Sequence, residues 1–371
     1  MSENTGMKVY VGMSGGVDSS VTAALLQERG YDVTGVYMKN WSQDLPGMAC
    51  PWKEDYQDAK RVAVQLGIDF KMYDFEQEYR SRVVDYMLEG FKAGITPNPD
   101  VMCNQEVKFK LFLETALAEG ADMIATGHYA RVTAAPGQGG ALLTGIDGNK
   151  DQSYFLYRVK AEALGRSLMP IGEYEKPAVR ELARTYGLAT AEKKDSQGIC
   201  FVGKVGIREF LEQFVTAEPG AIIDRNGKQI GRHDGALFYT IGQRHGLDVG
   251  GGLPYYVIGK DMDRNEVFVT TDLDDPGLWK QQLELTSLHW INEAPIDGAE
   301  YFVRTRYRAP LVKCSVKYAM KGIVARPQAD GMSLNLAEPV RAVTPGQSAV
   351  LYEPAGEDDG SFRVVGGGIV I

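Results

Sequence analysis

The segment that most constrains the fold lies near the start of the chain. An apolar run, Lys8-Val9-Tyr10-Val11-Gly12-Met13, leads into Ser14-Gly15-Gly16-Val17-Asp18-Ser19-Ser20, and a helix-forming stretch from Ser19 to Arg29 follows. A strand that turns through paired glycines into a helix aims backbone N–H groups and a helix dipole at one point, which suits an anion. The glycines let phosphate come close to the backbone, and the serine hydroxyls add donors. Asp18 would repel phosphate and suits a helix N-cap or a Mg2+ ligand. The Gly-Lys-Ser/Thr ending of a Walker loop is not here, nor is the Gly-x-Gly-x-x-Gly dinucleotide fingerprint.

The same strand-then-helix grammar continues. Val33–Met38 reads as a strand, Asp55–Leu66 as a helix and Ile68–Tyr73 as a strand, with a helix to about Phe91. Glu106–Glu119 reads as a helix and Asp122–Thr126 as a buried strand. Repeated βα units predict a mostly parallel sheet with helices on both faces and ligands at the carboxyl ends of its strands. The glycine-rich stretch from Ala134 to Gly148 predicts a loop or hairpin, and helices return near Lys176–Tyr186 and Ile207–Phe214. After Pro219, short apolar runs alternate with turn pairs such as Asn226-Gly227, Asp234-Gly235, Asp297-Gly298 and Pro345-Gly346, which is all-β grammar. The expected architecture is α/β: a Rossmann-like parallel-sheet domain over 1–205, a small β-containing central domain over 206–278 and a C-terminal β-barrel over 279–371.

With 371 residues, 44% of them hydrophobic, two or three domains can each bury a core. No apolar run approaches the ~20 residues of a membrane span, and the first residues form neither a signal nor a transit pattern, so a cytoplasmic location is expected. Four cysteines, Cys50, Cys103, Cys200 and Cys314, make no disulfide framework and are expected as thiols. The net charge of −9 speaks against nucleic acid only until its distribution is considered. Between Glu300 and Asp330 stand seven basic residues and no acidic one: Arg304, Arg306, Arg308, Lys313, Lys317, Lys321 and Arg326. Read as a strand, the three alternating arginines share a face opposite Tyr307 and form a stripe for phosphates.

Two cysteines sit in polar, loop-like surroundings. Thr96-Pro97-Asn98-Pro99-Asp100-Val101-Met102-Cys103-Asn104 is stiffened by two X-Pro pairs and feeds the helix expected from Glu106, which places Cys103 at a helix N-terminus, where thiolate is favoured. Asp100, three residues upstream, is a candidate general acid or base. Lys193-Lys194-Asp195-Ser196-Gln197-Gly198-Ile199-Cys200 reads as an electropositive loop around the second thiol. Cys50 and Cys314 fit small buried hydrophobes.

The Ser14–Ser19 string resembles the loop of the PP-loop ATP pyrophosphatases, which cleave ATP between the α and β phosphates and transfer AMP to a substrate oxygen. That resemblance implies that Gly12, Met13, Ser14, Gly15, Gly16, Val17, Asp18 and Ser19 surround ATP, with Met38 over the adenine and Gly127 lining the pocket. Further motifs follow in order: Asn98-Pro99-Asp100 with Cys103-Asn104, Gly127-His128-Tyr129, Lys150-Asp151-Gln152-Ser153-Tyr154, Gly198-Ile199-Cys200-Phe201, Arg306-Tyr307-Arg308 and Thr344-Pro345-Gly346-Gln347. Together they resemble the tRNA-specific 2-thiouridylases over essentially the whole chain.

This second resemblance implies ATP with Mg2+ as cofactors, no metal held by the protein itself, and sulfur transfer to the wobble uridine of tRNAs for Lys, Glu and Gln. Cys103 matches the nucleophile and Cys200 the persulfide carrier. Asn98, Pro99 and Asp100 match contacts to the target base. His128, Lys150, Asp151, Gln152, Arg306, Tyr307, Arg308 and Gln347 match contacts to tRNA. The sulfur donor would be a cysteine desulfurase or a sulfur-relay protein, and the chain a monomer. Either the persulfide attacks the base directly, or Cys103 releases its sulfur and a transient Cys103–Cys200 disulfide forms. Three alternatives stay open: an iron–sulfur cluster on Asp100, Cys103 and Cys200, another PP-loop enzyme that activates a carboxylate or amide for an amine, and a nucleotide-binding module without catalysis.

Overall fold

The computed structural model describes residues 6–44, 50–133, 139–194, 206–247, 249–250, 252–318, 331–356 and 360–371. Strands β1 (Lys8–Gly12), β2 (Asp32–Lys39), β3 (Asp69–Asp74) and β4 (Met123–Ala125) meet Ser167–Leu168 in a parallel sheet. Numbering Ala130–Thr133 as β5, Ala141–Thr144 as β6 and Ser167–Leu168 as β7, the order across that sheet is β3-β2-β1-β4-β7. The chain winds outward from β1 in one direction, then returns to β4 on its other side. That reversal opens a crevice at the carboxyl ends of β1 and β4, where doubly wound sheets bind ligands.

Side-chain alternation builds one core on each face of the sheet. Val9, Val11, Tyr37 and Ala125 point to one face, where helices α1 (Val17–Glu28) and α2 (Trp52–Leu66) and the helix Lys176–Thr185 pack. Tyr10, Val36 and Ile124 point to the other, under helices over 76–92 and 99–118. Each fully buried Val, Leu or Ile contributes about 1.5–3 kcal/mol, so both sandwiches are held mainly by these layers. Helix α1 is buried on nearly all sides, polar residues included. Ser20 and Thr22 satisfy their hydroxyls within the helix, on the carbonyls of Gly16 (2.8 Å) and Asp18 (2.9 Å).

Beyond the helix Ile207–Leu211, strands β8 (Gly220–Ile223), β9 (Gln229–His233), β10 (Tyr256–Asp261) and β11 (Glu266–Thr270) form a second sheet over its own core of Ile222, Leu247, Val257, Val267 and Val269. The third unit contains β12 (Trp279–Trp290), β13 (Glu300–Arg304), β14 (Val312–Tyr318), β15 (Gly331–Arg341), β16 (Ser348–Pro354) and β17 (Phe362–Val370). They run antiparallel in the order β12-β15-β14-β13-β16-β17, and pairing of β12 with β17 closes the barrel. This mixed α/β architecture of parallel sheet, small β unit and closed barrel is the one the sequence led us to expect.

Strands β5 and β6 pair antiparallel on either side of residues 134–138, which lie outside the described residues, and this hairpin pairing has an added consequence. Its second strand, β6, pairs with β17, so the hairpin of the first unit extends the sheet of the barrel. Arg131 on this hairpin also meets the Ser361 hydroxyl.

Two local expectations fail. The helix expected from Glu106 begins at Pro99: Asn98 is its N-cap, accepting the Val101 N–H at 3.3 Å, and Pro99 takes the first helical position, where its missing N–H costs nothing. Cys103 therefore sits a full turn inside the helix, directly before a widened π segment over Asn104–Leu111. The arginine stripe is not a strand face either. Strand β13 ends at Arg304, and Arg308 lies in a turn with φ of 62°. Lys321 and Arg326 lie outside the described residues.

Candidate active site

The Ser14–Ser20 loop leaves β1 at the switch point and enters α1. Gly15 has φ of +76°, and a Cβ there would lie 2.3 Å from the Asp55 carbonyl oxygen, so only glycine fits. Gly127, just past β4, packs against the start of α1, where a Cβ would meet the Ser19 nitrogen at 2.8 Å. Gly12 lies under Met38 in the same way, with the Met38 methyl 3.0 Å from where its Cβ would be. Met13 anchors the turn by donating its N–H to the Val36 carbonyl (2.8 Å). The hydroxyls of Ser14 and Ser19 stand 3.3 Å apart, beside first-turn amides that lack intrahelical acceptors. The cradle has the shape and donors a polyphosphate needs.

Asp18 is not the N-cap. Gly16 holds that position, and Asp18 lies inside the first turn of α1. Its carboxylate is gripped by Lys176, whose Nζ lies 2.7 Å and 2.9 Å from the two oxygens, and by the Tyr129 hydroxyl at 2.8 Å. Lys176 is buried and comes from the start of the Lys176–Thr185 helix. Sequence reasoning missed both partners. The only signal was that an acid beside a phosphate site needs a nearby positive charge. Among the described residues no three His, Cys, Asp or Glu side chains converge on a possible metal position. With Asp18 already engaged, the donors of this loop do not amount to a Mg2+ cage.

Tyr129 carries the connection onward. Its backbone N–H donates to the Gln152 side chain (3.0 Å), and the Gln152 N–H donates back to its carbonyl (2.8 Å). Gln152 leads through Ser153 to Tyr154, a fully buried ring whose hydroxyl donates to the Ser348 carbonyl (3.0 Å) and hydrogen-bonds Asn98. Tyr154 and Asn98 line a cavity of about 790 Å³ where the three units meet. Its floor is Thr96, Pro97, Pro99 and Asp100, and its walls include Phe155, Phe238, Tyr239 and Tyr307. Phe155 and Tyr307 pack with their ring centroids 4.8 Å apart and their planes tilted by 45°. Rings around a few polar groups are what a base removed from its stack requires.

Cys103 follows Asp100 by one helical turn and is buried in the core; unlike Asn98, Pro99 and Asp100, it is not among the residues that line the cavity. Asn104 beside it donates to the Phe155 carbonyl (3.1 Å), tying the thiol-bearing turn to the aromatic wall. Cys200 lies outside the described residues, as does the stretch from Asp195. Lys193, expected to make that loop electropositive, is neutralised: Asp55 and Asp58 of α2 receive its ammonium at 2.8 Å and 2.7 Å. Burial works against that charge, and the two carboxylates outweigh it to hold the lysine pKa above its usual value.

Several residues matched to tRNA contact turn inward. Asp151 is buried, accepting from Ser153 and from Arg304 (2.8 Å). It locks the first unit to the barrel. Arg306 donates to the carbonyls of Ile241 (3.1 Å) and Ala342 (2.6 Å), joining the middle unit to the barrel. His128 is buried on Thr126 (2.8 Å) and against Phe109, and burial, then the charge of Lys108, holds its pKa well below the ordinary imidazole range. Gln347 donates to the Thr96 carbonyl (2.7 Å), so it braces the pocket floor while also lining the cavity. Arg308 is exposed, lies over the Tyr307 ring and caps the Asn149 carbonyl beside Lys150.

Comparison with known proteins gives an account of the whole chain. Residues 7–204 match a family described as tRNA methyl transferase HUP domain, 208–271 a tRNA methyl transferase PRC-barrel domain and 280–370 an aminomethyltransferase beta-barrel domain. The tRNA-specific 2-thiouridylase MnmA of Bacillus licheniformis is 47% identical, over 93% of this chain and 92% of its own. That of Idiomarina loihiensis is 46% identical, over 99% and 96%. A solved 4-thiouridine synthetase–RNA complex with bound ATP aligns with 56% of this chain and 50% of its own at 18% identity and a TM-score of 0.37, too slight a likeness to argue from. The end-to-end matches, joined to a cradle at the switch point and a thiol-bearing helix under an aromatic cavity, show that this chain belongs to the family of tRNA-specific 2-thiouridylases.

Proposed function

We propose that this chain converts the wobble uridine of tRNA to 2-thiouridine, using ATP to activate the base. One observation carries the reading: the helix bearing Asn98, Asp100 and Cys103 forms the floor of an aromatic cavity that is hydrogen-bonded, through Gln152 and Tyr129, to the glycine-serine loop. Activation and sulfur delivery need those two places within one rigid frame.

The chemistry follows from the base. Uracil C2 is a weak electrophile and its oxygen a poor leaving group. The uridine O2 attacks the α-phosphate of ATP, pyrophosphate departs, and the base carries AMP on its oxygen. The Ser14–Ser19 amides and hydroxyls stabilise charge on the leaving phosphates, and Lys176 supplies the cation that the loop sequence lacks. Mg2+ would come with the nucleotide and neutralise charge on its phosphates, since this loop offers it no ligand cage among the described residues. Sulfur then adds at C2 and AMP leaves. It arrives as a persulfide on Cys200, loaded by a cysteine desulfurase or relay protein. Either its terminal sulfur attacks C2 and expels AMP, after which the Cys103 thiolate attacks the Cys200 sulfur, releases the thiolated base and leaves a Cys103–Cys200 disulfide, or the Cys103 thiolate attacks the inner sulfur first and leaves the same disulfide while freeing hydrosulfide to attack C2. An external thiol reductant then restores both thiols. In this reading Asp100, one turn before Cys103, serves as the general acid or base. The substrates are tRNAs for Lys, Glu and Gln, and the enzyme acts as a cytoplasmic monomer. No helix among the described residues is long and apolar enough to cross a membrane.

The test is a thiolation assay with unmodified glutamate tRNA, ATP, Mg2+ and sulfide, read by nucleoside mass spectrometry. Wild type should form 2-thiouridine only with ATP. Cys103→Ser should abolish product while leaving ATP affinity intact, and Cys200→Ser should respond to sulfide if it serves only as carrier. Pyrophosphate release on some other acceptor, with no 2-thiouridine, would leave only the ATP-cleaving fold.

A further inference from the structure

The third wall of the cavity comes from the middle unit, and the chemistry above gives no role to its charged side chains. The turn over 240–246 carries Gln243, Arg244 and His245 to the cavity rim. It is held from every side. Gly242 donates to the Val257 carbonyl (2.7 Å) and Val257 returns a bond to Gln243 (3.0 Å). The Gln243 side chain bridges the turn, accepting from Thr240 (3.0 Å) and donating to the His245 carbonyl (2.9 Å). Tyr239 pins the far end through the Gly246 carbonyl (2.9 Å), and Arg306 reaches in from the barrel to the Ile241 carbonyl. Gly242 has φ of +82° and lies against Ala342, where a Cβ would come within 2.4 Å of the alanine methyl.

So much fixing serves to present side chains, and the two at the tip are Arg244 and His245. Both are exposed, and neither makes an ion pair or side-chain hydrogen bond with any described residue. Most arginines near the cavity are engaged: Arg208 pairs with Glu212 and Asp234, and Arg306 caps backbone carbonyls. A guanidinium with no partner among the described residues, on a rigid turn at the rim of this 790 Å³ cavity in a chain of net charge −9, has the chemistry of a phosphate clamp.

We propose that Arg244, with His245 beside it, binds the phosphate flanking the extruded uridine, so that the middle unit holds the backbone while the first unit receives the base. The proposal rests on the tRNA-thiolation reading and deepens it. A phosphate in a single-stranded loop released from its counterions by one cation contributes a slope of about −0.7 to log K against log salt.

The test measures tRNA affinity between 50 and 300 mM KCl for wild type, Arg244→Gln and Arg244→Lys, with steady-state thiolation alongside. Arg244→Gln should flatten the salt slope by about 0.7 and raise KM for tRNA roughly tenfold at 100 mM salt, with kcat changed less than twofold. Arg244→Lys should restore the slope and part of the affinity, and ATP affinity should not move in either variant. An unchanged slope and KM in Arg244→Gln overturns the clamp. So does a loss seen only when sulfur comes from a donor protein and not from sulfide, since the turn would then dock protein. If wild type itself neither binds tRNA nor thiolates it, the failure belongs to the underlying reading instead.

Discussion

At the residue scale, the decisive contact is the one between Asp18 and Lys176. A carboxylate inside a phosphate loop is a liability until a cation offsets it, and the cation arrives from a helix 158 residues later in the chain. Under the proposed reaction, Lys176 shares its charge with the departing pyrophosphate. Lys176→Gln should lower tRNA-dependent AMP formation about a hundredfold, or roughly 2.7 kcal/mol in the barrier, because it removes a donor and leaves Asp18 facing the phosphates. Adding Asp18→Asn should recover part of that loss. An equal loss in both proteins, measured as pyrophosphate release, would show that the pair acts only as a structural tie.

At the element scale, legibility followed the rules of local structure. The parallel sheet, its helices and the barrel were readable because period, glycine turns and β-rich texture are local signals. The helix carrying Cys103 was placed too late, because two prolines suggested extended chain when one of them was Pro99 at a first helical position behind its Asn98 cap. The arginines at 304, 306 and 308 read as a stripe because alternation was assumed to persist past the end of β13, while burial of Asp151 and of backbone carbonyls decides their partners. Lys176, Phe238 and Arg244 were invisible, since only tertiary packing brings them to the site.

A pH effect belongs to the same scale. His289 on β12 is half-buried against the 158–160 segment, and desolvation, then the charge of Arg158, depresses its pKa to about 4. The folded pKa lies below the unfolded one, so from pH 6.5 down to 4 the unfolded chain takes up a proton that the folded chain refuses. Stability contributed by neutral His289 is therefore present above pH 6.5 and fades as the pH falls, by on the order of 2 kcal/mol. His289→Gln should show a smaller drop in Tm between pH 7 and 4.5 than wild type, whereas parallel curves would refute this assignment.

At the scale of the whole molecule, three units act as one because buried polar groups cross their boundaries. Asp151 of the first unit and Arg304 of the barrel form a nearly dry ion pair at 2.8 Å, with Arg304 also over the Tyr352 ring. Removing one partner strands the other. Asp151→Asn should cost about 3–5 kcal/mol in urea unfolding, and Asp151→Asn with Arg304→Gln should cost less than the sum of the two single changes. Additive losses would mean that the contact transmits nothing between the units.

The hairpin that joins the barrel sheet has a consequence for biosynthesis. Phe362, at the start of β17, bonds back to Thr144 of β6 across 218 residues. At about 5–20 residues per second, translation leaves that hairpin waiting some 10–40 s for its partner. Over that interval the β6 edge lacks its β17 partner, and the cavity lacks Tyr307 and Gln347, the two lining side chains that the barrel supplies.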